Sequence, residues 1–255
     1  MTQPTSPAQP PATPSSGTPL TRRVTLAGGV GVALAAPALA RPAVSDTEEP
    51  VVAVTAGGRL KGMRRSGIDV YRGVPYGGDV SGRRRFLPAA PAAPWTGVRD
   101  ATGLGAPSLQ PAGGTFGDDE PAPSENCLFL NIWTPVGGSA RKPVMFYSHG
   151  GGFSSGSAGG RTQDASNLAR AHDVVVVASN HRLGLMGYLY LGELAGEAYA
   201  RSGNQGMSDI LLALRWVSAN IEAFGGDPTN VMIFGESGGG AKTSALYAMP
   251  DAAPH

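Results

Sequence analysis

The 255-residue chain predicts an α/β fold, a doubly wound and mostly parallel sheet that opens with an antiparallel hairpin. Three observations predict it. Residues 144–148, 174–179 and 231–234 are short, largely apolar runs, the pattern of strands covered on both faces. Segments with a helical period separate them. Two extended runs divided by Ala56-Gly57-Gly58 stand ahead of them, as in a hairpin.

Residues 1–20 are rich in Pro, Ser, Thr and Gln and cannot bury a core. Thr21-Arg22-Arg23-Val24-Thr25-Leu26 then begins a twin-arginine-like stretch. A weakly apolar segment covers 26–36, and Ala38-Leu39-Ala40 supplies an A-x-A cleavage pattern. Residues 1–40 are therefore expected to be a disordered leader and export signal. The mature domain would occupy 41–255, in a periplasm or outside the cell. The plainer alternative is a leader with one apolar helix. That segment is too short and glycine-rich to span a bilayer stably.

The hairpin strands are expected at 51–55 and 59–62. Further strands follow at 128–133, 144–148, 174–179 and 231–234. A short helix is expected over 162–171. The clearest helix runs from 209 to 224, where Ile210, Ala213, Leu214, Val217 and Ile221 share one face and Gly225 stands just past the end. Trp216 on this helix reads as packing.

The last strand feeds into Gly235-Glu236-Ser237-Gly238-Gly239, a G-x-S-x-G turn from strand to helix. A serine at such a turn has a cramped backbone, so its neighbours two positions away must be small; both are glycine. The turn lifts the Ser237 hydroxyl out of the sheet. It also sets the next N–H groups at a helix N-terminus, where developing negative charge is favoured. Upstream, the strand at 144–148 runs into His149-Gly150-Gly151-Gly152-Phe153. Consecutive glycines let a backbone approach a substrate oxygen and turn its N–H groups inward. Each motif has a bland reading as a small-residue loop. Two of them, each after an apolar strand and in this order, favour acyl transfer.

With 41% hydrophobic residues, 15% charged residues and a formal net charge of +1, the composition is that of a globular domain and gives no sign of nucleic-acid binding. The four histidines lack H-x-x-x-H spacing, which argues against a zinc hydrolase. Cys127 is the only cysteine, so an internal disulfide is impossible. Its apolar setting, Cys127-Leu128-Phe129-Leu130, points to a buried structural thiol rather than a reactive one.

Taken together, the motifs resemble the N-terminal half of a type-B carboxylesterase, the cholinesterase-like branch of the α/β-hydrolases. Tyr71-Arg72-Gly73-Val74-Pro75-Tyr76 is similar to the family's F-R-G-I-P-Y. Ser124-Glu125-Asn126-Cys127-Leu128 resembles its S-E-D-C-L, and Asn180-His181-Arg182-Leu183-Gly184 its N-Y-R-L-G. Arg85-Phe86, the 94–102 segment, Asn204-Gln205-Gly206 and the 223–228 segment extend the likeness from about residue 50 to 250. The resemblance implies an α/β-hydrolase fold cut off after the elbow, with an irregular excursion over 77–126. It implies Ser237 as catalytic nucleophile and the N–H groups of Gly151, Gly152 and Gly238 as the oxyanion hole. It further implies a two-step hydrolysis of a small-molecule ester, with no metal and no organic cofactor, and a structural role for Glu236.

Several residues depart from the family pattern. Gly238 replaces the family's alanine, which keeps the backbone donor but loosens the turn. Ser108 stands near the position where relatives carry a partner for Cys127. Family chains are about twice as long and place the triad acid and histidine after the serine. Here only Asp251 and His255 follow in that order, in a proline-broken tail, so neither is read as catalytic. His149 is expected to brace the glycine loop, His172 to lie at the surface or a strand entry, and His181 to pack. Without later elements, the sheet edge beyond 231–234 would be left exposed. Three readings stay open: an esterase whose acid and base lie past residue 255, an inactive truncated relative, or a cholinesterase-like binding module. The ester and the oligomeric state are open too.

Overall fold

The computed structural model describes residues 48–111, 120–137, 141–253 and 255, Arg161 by its backbone alone. The leader and export signal expected over 1–40 lie outside the described residues. β1 (Glu49–Thr55) and β2 (Gly58–Arg65) form the expected antiparallel hairpin, with Thr55 opposite Gly58. β3 (Ile68–Pro75) adds to β2 through a second tight turn and was not foreseen as a strand. Asp69, Arg72 and Gly73 interrupt its apolar run, and its register slips between Tyr71 and Val74 where it pairs with the next strand. Pairing on both sides, rather than local pattern, makes it a strand.

Among the described residues, the excursion expected over 77–126 is irregular, apart from a 3-10 turn at Gly82–Arg84 and the three-residue β4 (Val98–Asp100) beside β2. It is tied down by Trp95, whose Nε1 donates to Arg59 O at 3.0 Å, and by Glu125, which accepts from Gly82 N at 2.9 Å and pairs with Arg85. β5 (Phe129–Pro135), β6 (Lys142–Ser148), β7 (Val175–Ser179) and β8 (Gly226–Gly235) complete a sheet of order β1-β2-β3-β5-β7-β6-β8, with β4 attached to β2. The sheet is mixed. β6 runs parallel to β7 and β8, whereas the β1-β2-β3-β5-β7 part is antiparallel. Tight turns join β1, β2 and β3 and force antiparallel pairing; the parallel strands are joined by helical crossovers.

Those crossovers are α1 (Ser166–His172) between β6 and β7, and a longer path holding α2 (Gly184–Tyr188), α3 (Gly192–Ala195) and α4 (Gln205–Asn220) between β7 and β8. α5 (Gly238–Tyr247) follows β8. α4 starts a turn earlier than its apolar face suggested, and a 3-10 turn at Ile221–Phe224 carries it to Gly225.

Alternation along the strands splits the core in two. Leu130, Ile132, Val144, Phe146, Val175 and Val177 point to one face and pack with Ile210, Leu214, Val217, Ile221 and Leu246 of the α4–α5 side. Trp133, Val174, Val176 and Ala178 point to the other, with Ala169 of α1. Each fully buried aliphatic side chain contributes about 1.5–3 kcal/mol. β7 is buried throughout, as its unbroken apolar run requires. Among the described residues β8 ends the sheet and pairs with β6 alone, the edge expected beyond 231–234, and its faces are less covered than its apolar run suggested. Met232 on it is 51% exposed and Tyr247 on α5 is 79% exposed. Among the described residues, no helix is long and apolar enough to cross a membrane.

Candidate active site

Parallel pairing of β6 with β8 places Ser148 opposite Gly235. The glycine loop and the G-x-S-x-G turn therefore leave the sheet side by side, from the same ends of neighbouring strands. Ser237 sits at the turn with φ 51° and ψ −118°. This is a sparsely populated region for a side-chain-bearing residue, costing about 1–3 kcal/mol that surrounding structure must offset. The glycines around it explain how the turn closes. A Cβ on Gly235 would collide with the Gly239 backbone, and one on Gly239 would collide with Ser148 O. α5 thus starts directly over the end of β6, while Ser237 stays exposed.

The structure brings the sequence-predicted residues together. A Cβ on Gly238 would strike Gly152 at its Cα, N and O. The space of the missing Gly238 side chain is thus filled by the glycine-loop backbone rather than left as slack. Gly151 and Gly152 have φ of 82° and 63°, a conformation that side chains rarely adopt. Gly151 O accepts from Ser155 N at 3.1 Å, closing the loop on itself. Beyond it, Gly156 N donates to Gln110 Oε1 at 2.7 Å and Gln110 Nε2 returns a bond to Gly156 O at 3.0 Å. Phe153 O accepts from Gly184 N at 2.7 Å, and the Phe153 ring meets Tyr188 edge-on. Glu236 lays its carboxylate against Gly150, where a Cβ would collide with Oε2.

The histidines take bracing and packing positions. His149 is buried at the start of the glycine loop, with Nδ1 2.9 Å from Gly150 O, and it stacks on buried His181 at 4.5 Å between centroids. Burial, reinforced by the Lys242 charge, pushes His149 down to about 3; burial and the same neighbours hold His181 well below its ordinary value. Both rings are neutral at pH 7. His172 is exposed at the end of α1. His255 Nδ1 lies 3.3 Å from Ser218 Oγ, and Asp251 pairs with Arg215. Among the described residues, Ser237 Oγ makes no hydrogen bond to a histidine.

Several residues that shape the site carried no clear signal in the sequence. Arg182 and Asp209 form a buried bidentate pair at 2.7 and 2.8 Å, with 3% and 0% of their side chains exposed. Burial opposes the charge on Arg182, but Asp209 outweighs it and keeps the guanidinium above its ordinary value. Asn180 Oδ1 accepts from Ala158 N at 2.7 Å and Asn131 Nδ2 donates to Ala158 O at 3.0 Å, fixing the return of the glycine loop. Only the place of Asn180 and Arg182 in a quoted motif could have flagged them. Lys242 of α5, buried beneath the loop, had no flag at all. Cys127 is fully buried, as its apolar run implied, and the Ser108 hydroxyl accepts from Leu183 N at 3.0 Å.

Comparison with known proteins agrees with this arrangement. The model of the Carboxylesterase family matches residues 48–254. The chain is 41% identical over 203 residues to para-nitrobenzyl esterase of Bacillus subtilis (strain 168), covering 79% of this chain and 41% of that protein. It is 37% identical over 216 residues to fumonisin B1 esterase of Sphingopyxis macrogoltabida, covering 84% and 40%. Among solved structures, a carboxylesterase of Geobacillus stearothermophilus superposes with a TM-score of 0.75 at 45% identity, covering 80% of this chain and 41% of that one. The chain thus spans about two fifths of the length of the relatives it matches. Its α/β-hydrolase sheet, its paired glycine-loop and G-x-S-x-G turns and the family match over 48–254 together make the chain a member of the carboxylesterase family.

Proposed function

We propose that this chain carries the nucleophile and oxyanion machinery of a carboxylic ester hydrolase. Ser237 Oγ attacks the ester carbonyl, the carbonyl π pair moves to oxygen, and the hydroxyl proton passes to a base. Collapse of the tetrahedral species expels the alcohol and leaves an acyl-serine, which water then hydrolyses to the acid. The N–H groups of Gly151, Gly152 and Gly238 hold the charged oxygen. Losing one such donor costs on the order of 3 kcal/mol of barrier. The triad acid and histidine are assigned by the resemblance to the length of family chain that this one does not span.

The observation that carries this reading is the contact of Gly152 with Gly238 beside an exposed Ser237 at φ 51°. The substrate class is a small-molecule carboxylic ester. The relatives named para-nitrobenzyl esterase and fumonisin B1 esterase carry different substrate names, so they do not narrow it. The test uses a p-nitrophenyl ester and a fluorophosphonate probe on the whole chain and on Ser237→Ala. Labelling at Ser237 that the substitution removes is expected. Absence of both labelling and turnover in the wild type would refute the hydrolase reading and leave the inactive-relative alternative.

A further inference from the structure

α5 carries a lysine where its position calls for an apolar residue. Lys242 is fully buried, five residues after Ser237 and on the helix side that faces the sheet. Helical side chains tilt toward the N-terminus, so this one reaches back under the elbow. Nζ donates to His149 O at 3.2 Å. The same ammonium lies 5.5 Å from the centre of the Phe153 ring, a cation–π distance. One charge therefore grips both ends of the loop that holds Gly150, Gly151 and Gly152. No carboxylate pairs with Lys242 among the described residues. A buried ammonium without a counter-ion is costly, so stability alone gives no reason for it.

We propose that Lys242 is a positioning residue: its ammonium pins the His149 carbonyl and the Phe153 ring, and so fixes the glycine loop against the elbow. The inference rests on the hydrolase reading only for the role given to that loop.

Burial pushes Lys242 down to about 8. The charge is therefore present below pH 8 and lost above it, which weakens a charge-assisted bond to an ordinary one. The sign for overall stability is opposite. Because the folded value lies below the ordinary 10.5, the folded chain binds fewer protons there, and the Lys242 contribution rises with pH from about 8 to 10.5. Loop anchoring and global stability should thus move in opposite directions. His149 and His181 feel the Lys242 charge; around the elements packed against α5 the other charged groups are Glu236 after β8, Asp209 on α4 held by Arg182, and Asp251 held by Arg215. Both histidines stay neutral throughout this window.

The test is hydrogen exchange by mass spectrometry from pH 6.5 to 9.5 on the whole chain, wild type and Lys242→Met, corrected for intrinsic exchange. Protection of the 149–156 segment is read relative to that of α4. In the wild type it is expected to fall about fivefold across this range. In Lys242→Met it should be about tenfold lower at pH 6.5 and flat with pH. Wild-type protection that does not change with pH overturns the proposal, as does a variant protected like the wild type. If Lys242→Met does not fold, the wild-type series decides alone. Fluorophosphonate labelling of Ser237, run in parallel, separates the two ideas. A falling protection profile without labelling supports the anchor and sinks the hydrolase reading. Labelling with a flat profile sinks the anchor alone.

Discussion

Replacing Asp209 by alanine probes the strongest polar contact under the site. Its carboxylate accepts from Arg182 Nε at 2.8 Å, from Arg182 Nη2 at 2.7 Å and from the Arg182 backbone N–H at 3.1 Å, all buried. Truncation leaves the guanidinium with Leu87 O and Gln205 Oε1 only, and it orphans a buried backbone donor. Breaking one side of such a pair costs about 3–5 kcal/mol. For a domain of this size that is a drop of about 10 °C in melting temperature. Guanidinium unfolding followed by tryptophan fluorescence measures the free energy, with Trp216 on the same helix as reporter. A second arm, Arg182→Met with Asp209→Leu, removes both charges and should recover most of the loss. A cost below about 1 kcal/mol for Asp209→Ala would show that water reaches the pair. So would a double variant no better than the single. Either result would refute the claim that an isolated buried charge dominates here.

Two more substitution and reactivity tests follow from the same geometry. Burial pushes the Cys127 thiol up to about 12. A thiol reagent at pH 8 is expected to leave the native chain unmodified and to label it once per chain in guanidinium; rapid labelling of the folded protein would contradict the burial of Cys127. At Gly151, φ is 82° and an added Cβ would collide with Ser155 O. Gly151→Ala should therefore destabilise by about 1–3 kcal/mol and slow Ser237 labelling, and an unchanged melting temperature with unchanged labelling would count against a strained loop.

Much of this architecture was legible because it rests on local chemistry. The apolar runs of β6 and β7, the face of α4 marked by Ile210, Leu214 and Val217, and the turn forms around Ser237 are all written in consecutive residues. β3 was not legible, because Asp69, Arg72 and Gly73 spoil its pattern and its pairing with β2 and β5 decides it. The thin cover on the faces of β8 was not legible for a related reason. Val231-Met232-Ile233-Phe234 looks the same whether one face or two are covered. Lys242 was invisible as well, since a helical lysine ordinarily faces water and only packing shows it buried.

The sequence by itself determined which atoms carry chemistry: a serine flanked by glycines, and a run of glycines after an apolar strand. Their backbone freedom is a property of each residue alone. Tertiary structure decided that these atoms meet, because only the parallel register of Ser148 against Gly235 sets the two turns side by side. It also decided which charges lie inside, at Arg182, Asp209 and Lys242. Burial is a relation among distant segments, and no single stretch of chain contains it.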